Sequence, residues 1–512
     1  MKTGWIVATL TSVLTFGTAA AQEPPRAHVA QGDLVGKFDG GTEAFLDIPF
    51  AAPPLGDRRW KPPAPPLAWS GAREAIQFGP ACMQNRSWPG GAWSAEFYIG
   101  PPFSEDCLTL NVWTAGGSAK AVLLFIPGGG FTQGGGGIVI YNGTTMARAG
   151  IVFVTMNYRL NAAGFLAHPA LAAESPDHAS GDYALLDVIA ALKWIRDNIA
   201  AFGGDSAKVT VMGQSAGAAA IRELLHSPLA KELFRGAIID SGISARDAPL
   251  PGKAEAEREG AGWAAAHGAA TLAQLRALPA ETLADGDDVP HGSAVDGYVL
   301  PKQIDPSQPP AIDVPILTGW NGAEGVYAPG RVFSRADLVA ATNLAMGPDA
   351  KDILALYPSG ADATAVMHAG AHDLLMMGAA AWAAARATHA SAPLYFYDFE
   401  HVMPGGTAPD YGSFHSSELP YVFATLDAMA NRPWTQKDRE VSILMQGYWL
   451  NFIKTGNPNG MDAAGRLLPN WTAFDPAKDE VMVLSGTPHM RAIATPARAT
   501  IFTRFYDRIL RK

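Results

Sequence analysis

Cysteine and positive charge are both scarce in this 512-residue chain. The 2 cysteines can form at most one disulfide, or they remain two unpaired buried thiols. Lysine and arginine number 38 against 48 aspartates and glutamates, which gives a net charge of −10. A nucleic-acid-binding protein needs clustered basic side chains to neutralise phosphates. Nucleic acid is therefore not an expected partner, and a small molecule is favoured.

Long hydrophobic runs are missing after the N-terminus. The single candidate run extends from Trp5 to Phe16, follows Lys2, and is followed by small residues at Ala19 and Ala21. The run is too short to span a bilayer, and the flanks are typical of a secretory signal peptide cleaved after about Ala21. A buried N-terminal helix is the alternative. We expect residues 1–21 to be removed and the mature protein to be secreted or periplasmic, with no membrane span.

Several other patterns are missing as well. The chain has no internal repeat, no metal-ligand spacing and no GxGxxG fingerprint of dinucleotide binding, so no metal and no cofactor are expected. A hydrophobic fraction of 48% and a charged fraction of 17% are typical of a globular protein. The proline-rich stretch from Pro301 to Pro315 leads directly into an apolar run, so we interpret it as a surface connection inside one domain, residues 22–512.

What the sequence does contain is an alternation of apolar strands and helices. Ala121 to Ile126 and Ile151 to Tyr158 are continuous apolar runs, as expected for strands buried on both faces. Asp182 to Phe202 has apolar residues at steps of three and four, which predicts an amphipathic helix. This order predicts a doubly wound, mostly parallel α/β sheet. Further strands are predicted at Ala237–Asp240, Val314–Thr318, Leu394–Tyr397 and Val481–Leu484, and a helix at Ala379–Ala387.

The stretch from Val209 to Leu225 carries the first chemical signal. It reads as a β-branched strand that stops at Gly213, then a serine, Ser215, then Gly217 and an alanine-rich helix. This strand–turn–helix context is the one that a GxSxG nucleophile elbow requires, although the motif alone is a weak signal. We predict that Ser215 is a nucleophile at the carboxyl end of a sheet strand.

A serine hydroxyl needs a base to take its proton and an acid to orient that base. His415 follows the later strands and lies in a predicted loop, which makes it the preferred base, with His401 as the rival. For the acid, Glu324 lies where a strand leaves the sheet into a polar turn, and Asp240 and Asp398 are the alternatives at the ends of other predicted strands.

Two further segments carry a resemblance to a known family. Prolines and aromatics are dense from Phe45 to Gln84, which predicts extended chain over the surface, pinned by Trp60 and Trp69. This pattern, followed by SEDCLTLNV from Ser104 to Val112, resembles the signature of the type-B carboxylesterases, the α/β-hydrolase family that includes the cholinesterases. The resemblance covers nearly the whole mature chain, and it includes YWLNFIKTGNPNG, Tyr448 to Gly460.

The resemblance implies a serine carboxylesterase with a single α/β-hydrolase domain and insertions that line a gorge. Ser215, His415 and Glu324 match the positions of the family's catalytic triad. The family's glycine loop matches PGGGF at residues 127–131, and this match implies an oxyanion hole at Gly129, Gly130 and Ala216. Other implied features are a disulfide between Cys82 and Cys107 and a supporting hydroxyl at Ser241. The loop that this disulfide would close borders the gorge in the family, so its aromatic residues either line the gorge or pack within the loop itself; they are Trp88, Trp93, Phe97 and Tyr98.

The chain also departs from its family. Gln214 stands where many relatives carry glutamate, which argues against a cationic, choline-like substrate. The expected activity is hydrolysis of small-molecule carboxylic esters through an acyl-enzyme. Two alternatives stay open: a catalytically silent adhesion or binding protein, and an amidase or polyester hydrolase with the same triad. The sequence does not indicate an oligomeric state.

Overall fold

The computed structural model describes residues 22–85, 90–244, 249–286, 288–325 and 330–510. The predicted signal peptide, residues 1–21, and Trp88 lie outside these ranges. Within them, no helix is both long enough and apolar enough to cross a bilayer.

The strands and helices below are numbered in chain order. The strands are β1 Arg26–Val29, β2 Gly32–Val35, β3 Lys37–Asp39, β4 Thr42–Pro49, β5 Ala72–Glu74, β6 Ala81–Cys82, β7 Phe103–Ser104, β8 Thr109–Thr114, β9 Lys120–Ile126, β10 Val152–Met156, β11 Gly204–Gln214, β12 Gly236–Asp240, β13 Ile316–Asn321, β14 Leu394–Phe399, β15 Glu480–Leu484 and β16 His489–Ala492. The α-helices are α1 Thr144–Arg148, α2 Asn161–Phe165, α3 Pro169–Glu174, α4 Tyr183–Asn198, α5 Ala216–Leu224, α6 Lys253–Ala266, α7 Leu272–Arg276, α8 Arg335–Met346, α9 Ala350–Ala355, α10 Ala363–Ala387, α11 Leu419–Val422, α12 Gln436–Thr455 and α13 Pro496–Leu510.

An 11-stranded sheet organises the molecule, with the strand order β16-β15-β14-β13-β12-β11-β9-β10-β8-β4-β3. Seven consecutive strands of this sheet, β15 to β10 in that order, run parallel, and antiparallel strands flank them on both sides. Helices cover both faces, as the predicted α/β-hydrolase fold requires. The prediction of a mostly parallel α/β sheet is confirmed.

The central strands carry apolar residues on both faces because both faces are covered. In β9, Val122, Leu124 and Ile126 belong to one hydrophobic core, while Leu123 and Phe125 belong to the core on the other face. Successive side chains of a strand point to opposite faces, so a strand between two helix layers needs apolar residues throughout. This requirement explains the continuous apolar runs in the sequence.

The expectation of a surface path from Phe45 onward is wrong for its first residues. Phe45 to Pro49 complete β4, which pairs with β8 inside the sheet, and Phe45 and Ile48 are buried. The prolines that suggested surface chain begin at the end of this strand, so they do not interrupt its ladder. Trp60 is buried and its indole donates to Ala162 O.

The parallel strands bring their carboxyl ends to one edge of the sheet. The loop at residues 127–137 follows β9, Ser215 follows β11 and Ser241 follows β12. Glu324 comes shortly after β13, and His415 lies in the loop after β14. Ligands of open α/β sheets bind at this edge. The fold therefore gathers the predicted site residues at a single edge.

Candidate active site

A sharp turn presents Ser215 at the end of β11. Its backbone has φ 58° and ψ −123°, an unfavourable conformation for a residue with a side chain, and α5 begins at the next residue. The positions two before and two after Ser215 require glycine, because a side chain at either would collide with the backbone. A Cβ at Gly213 would lie 2.4 Å from the backbone of Gly217, and a Cβ at Gly217 would lie 2.1 Å from Ile126 O. The N–H of Ser215 donates to Asp240 O at 3.0 Å, which ties the turn to β12.

His415 and Glu324 meet directly. The Nδ1 atom of His415 lies 2.7 Å from Glu324 Oε2, and Glu324 is only 2% exposed. The second carboxylate oxygen of Glu324 accepts a hydrogen bond of 2.5 Å from the hydroxyl of Ser241. The ring of His415 is thus held by a buried carboxylate that is itself oriented by a neighbouring serine.

Burial and neighbouring charge act in opposite directions on the pKa of His415. Burial alone would lower the pKa of the imidazole, but the charge of Glu324 and its hydrogen bond outweigh this effect, and the pKa of His415 is raised. The raised pKa means that this histidine is a stronger base than an isolated imidazole.

Gln214, the residue before Ser215, contacts the same ring. Its Nε2 atom lies 3.2 Å from His415 Nε2 and 3.3 Å from Nδ1, and Ser416 donates to its Oε1 at 3.0 Å. Ser215 and His415 line one cavity, yet among the described residues no hydrogen bond joins the Ser215 hydroxyl to the ring. Such catalytic contacts often tighten only when substrate is bound.

Three backbone N–H groups are available near Ser215. In the described part of the chain, those of Gly129, Gly130 and Ala216 donate to no protein acceptor. Gly129 and Gly130 have φ of 115° and 63°, the left-handed region that favours glycine, and both line the cavity with Ser215. Unpartnered N–H groups beside a nucleophile can stabilise a negatively charged oxygen.

Sequence reasoning did not assign a role to two buried residues behind the triad candidates. Asn321 donates through its amide to Phe414 O and to a carboxylate oxygen of Glu418. Burial raises the pKa of Glu418 to about 7. The sequence does show a signal for Glu418, since it follows His415 by three residues at the start of an aromatic segment. Asn321 has no such signal.

The side chains of the rival residues have other partners. The ring of His401 bonds to Asp438 at 2.8 Å. Asp240 accepts from the hydroxyl of Tyr397 at 2.9 Å, and Asp398 pairs with His372 and Arg491. The described contacts of these residues join none of them to His415.

The cavity that contains Ser215 has a volume of about 730 Å³. One wall is aromatic and apolar and comes from the segment between Cys82 and Cys107, which form a disulfide. Trp93 also holds the backbone of His415 in place, because its indole donates to His415 O at 2.9 Å. No described residue of the cavity wall is an Asp, Glu, Lys or Arg, so the wall favours an uncharged ligand. The aromatic and apolar wall residues include Trp93, Phe97, Tyr98, Ile99, Pro101 and Phe103.

The substitution Gln214→Glu is expected to move the acid limb of kcat/KM to higher pH by about one unit. His415 accepts a proton only as neutral imidazole, so activity falls as pH drops through its raised pKa. A carboxylate at the position of Gln214 Nε2 adds a negative charge next to the ring and raises this pKa further. The measurement is the pH profile of kcat/KM for a nitrophenyl ester.

The matched control is Gln133→Glu, which adds the same charge to the cavity wall at a residue with no described bond to His415. We expect a smaller shift in this variant. Equal shifts in the two variants, or an unmoved limb in Gln214→Glu, would contradict the assignment of the effect to contact with the imidazole.

Comparison with known proteins identifies the family of the chain. The family model described as "Carboxylesterase family" matches residues 23–349 and 359–501. Fumonisin B1 esterase of Sphingopyxis macrogoltabida is 36% identical over 465 residues, which cover 86% of this chain and 84% of the relative. Para-nitrobenzyl esterase of Bacillus subtilis (strain 168) is 33% identical over 479 residues, which cover 88% of this chain and 93% of the relative.

Solved structures show the same likeness. Two structures of PNB esterase superpose with TM-scores of 0.78 and 0.76 at 30% and 31% sequence identity. Each match covers 93% of this chain and 99% of the other. Fold, sequence and relatives agree, and the chain is a carboxylic ester hydrolase that belongs to the carboxylesterase family.

Proposed function

We propose that this protein is a secreted or periplasmic serine carboxylesterase that hydrolyses uncharged small-molecule esters through an acyl-enzyme on Ser215. The observation that carries the proposal is the 2.7 Å bond between His415 and the buried Glu324, in the loops that flank the Ser215 elbow. The nucleophile Ser215, the orienting acid Glu324 and the base His415 come in this order along the chain, which is the usual order for α/β-hydrolases.

The reaction is proposed to proceed in two halves. The Ser215 hydroxyl attacks the ester carbonyl while His415 Nε2 takes its proton, and Glu324 stabilises the imidazolium that forms. The N–H groups of Gly129, Gly130 and Ala216 bind the oxygen on which negative charge develops. His415 then gives the proton to the departing alcohol. A water molecule, activated by the same histidine, attacks the acyl-enzyme and releases the acid.

The proposed substrate class follows from the cavity wall. The names of the relatives point to different substrates, among them fumonisin B1, a para-nitrobenzyl ester, phenmedipham and cocaine. The described wall residues include no Asp, Glu, Lys or Arg and so support a neutral ester, and Trp93, Phe97 and Tyr98 support an aromatic or apolar group next to the scissile bond.

Export is part of the proposal. The N-terminal run from Trp5 to Phe16 supports a signal peptide over residues 1–21, and the remaining residues 22–512 would form the mature domain. The disulfide between Cys82 and Cys107 supports the same compartment, because disulfides persist in oxidising environments.

Stoichiometric labelling tests the proposal. A dialkyl nitrophenyl phosphate is expected to release a single equivalent of nitrophenol per chain and to leave the dialkylphosphoryl group on Ser215, as located by mass spectrometry of the peptide. Turnover of a nitrophenyl ester should fall in proportion to labelling, and Ser215→Ala should take up no label. Full activity in the fully labelled protein, or a label on another residue, would remove Ser215 from the mechanism.

A further inference from the structure

We propose that Gln84 is a positioning residue for the oxyanion hole. Through the side chain of Gln84, the disulfide between Cys82 and Cys107 holds the glycine loop in place. The glycine loop is defined as residues 127–137. This inference rests on the proposed function of Gly129 and Gly130 as donors to the developing oxyanion. The sequence pattern does not indicate this role for Gln84, because its partner lies 50 positions away in the chain.

The side chain of Gln84 makes a two-way contact with one residue of the glycine loop. Its Nε2 atom donates to Gly134 O at 2.9 Å, and its Oε1 atom accepts from Gly134 N, also at 2.9 Å. Gln84 is 6% exposed, so these bonds are shielded from water. Two antiparallel hydrogen bonds from one planar amide fix both the position and the orientation of the Gly134 peptide groups.

Gly134 in turn touches the residues that precede the oxyanion donors. A Cβ at Gly134 would lie 2.4 Å from Gly128 O, so the two backbones are in close contact. A Cβ at Gly129 would lie 2.1 Å from Gln133 O, and the N–H of Gln133 donates to Gly129 O at 3.1 Å. A displacement of Gly134 therefore moves Gly128 and Gly129, because packed backbone cannot absorb the shift.

On the side away from Gly134, the contacts of Gln84 lead to the central sheet. The same Nε2 atom of Gln84 donates to Cys82 O at 3.0 Å, and Cys82 is bonded to Cys107, two residues before β8. The contacts run from β8 through the disulfide and Gln84 to Gly134. Other anchors of the glycine loop come from β10 and the segment after it: Thr155 donates to Gly136 O, Tyr158 to Pro127 O and Asn161 to Thr132 O, and Asn157 accepts from Gly136 N.

Loss of the Gln84 amide should therefore affect the transition state more than substrate binding. The oxyanion exists only after attack on the carbonyl, so a displaced donor lowers kcat and leaves KM nearly unchanged. Misplacement of a catalytic group by about 1 Å costs up to roughly 100-fold in rate. We expect kcat to fall roughly ten- to hundredfold in Gln84→Ala.

The experiment compares Gln84→Ala with Gln84→Met, which keeps the length and volume of the side chain but forms no such hydrogen bonds. Both variants should lose kcat to a similar extent. The affinity for a trifluoromethyl ketone, which forms an oxyanion with Ser215, should fall in proportion to kcat/KM in both. The matched control is Gln446→Met, since Gln446 is 7% exposed on α12 and is absent from the cavity wall. Gln446→Met should keep the wild-type kcat, although its thermal unfolding midpoint should fall about as much as those of the Gln84 variants.

Restoration of kcat by methionine would overturn the proposal, because it would show that Gln84 only fills space. An unchanged ketone affinity in both variants would overturn it as well. Ser215→Ala is measured alongside. Activity that survives in Ser215→Ala contradicts the proposed function itself, whereas an inactive Ser215→Ala with normal Gln84 variants contradicts only the positioning role.

Discussion

His415→Ala is expected to lower kcat by about 10⁶-fold, the largest effect of any substitution considered for this protein, together with that of Ser215. Without the imidazole, the Ser215 hydroxyl has no group to take its proton, and the departing alcohol has none to supply one. The described residues of the cavity wall include no other imidazole and no carboxylate that could substitute. The measurement is kcat for a nitrophenyl ester under saturating substrate.

His401→Ala is the matched control. His401 also pairs with a buried carboxylate, Asp438, at 2.8 Å against 2.7 Å for His415 and Glu324. It is expected to keep kcat for the folded fraction while losing stability, because Asp438 would be left without this partner. Comparable losses of kcat in the two variants would contradict the assignment of His415 as the base.

Glu324→Gln is expected to lower kcat by about 10⁴-fold. A neutral amide cannot stabilise the imidazolium, and its NH₂ group can donate to Nδ1, which would select the tautomer with the proton on Nε2. That tautomer cannot accept the proton of Ser215. The pKa of His415 should also fall, because the charge of Glu324 is one of the causes that raise it. The residual activity should therefore extend to lower pH.

Two controls separate charge from local structure at Glu324. Ser241→Ala keeps the carboxylate and removes one donor to it, so it should lose much less activity than Glu324→Gln. Asp398→Asn removes a buried carboxylate that pairs with His372 and Arg491 near the end of the neighbouring strand β14. This variant should leave kcat unchanged. A larger loss in Asp398→Asn than in Glu324→Gln would show that the acid has been assigned to the wrong strand.

Local features of the sequence predict much of the fold. The apolar run at β9 and the glycines around Ser215 are recognisable because their constraints are local: burial on both faces, and backbone contact within a few residues. The burial of Phe45 is not predictable in this way, because it depends on the pairing of β4 with β8, more than sixty positions further along the chain.

The candidate site likewise contains residues that local sequence marks and residues that it does not. Ser215 carries a motif and His415 a recognisable loop, but Gln84 and Asn321 act through partners 50 and 97 positions away. An amide has no spacing signature, because the same side chain serves on any solvated surface. Its role follows only from which backbone groups the fold brings within about 3 Å of it.

The loop closed by Cys82 and Cys107 has a consequence for redesign of the substrate range. It combines two functions that a loop graft would have to separate. Gln84 and Trp93 hydrogen-bond to Gly134 of the glycine loop and to the backbone of His415, whereas Phe97 and Phe103 line the cavity with apolar side chains, and Phe97 also packs against Phe414. A chimera that exchanges residues 95–103 with a relative alters the shape of the wall and leaves both bonds in place. Exchange of the entire loop would mix a change of specificity with a loss of turnover.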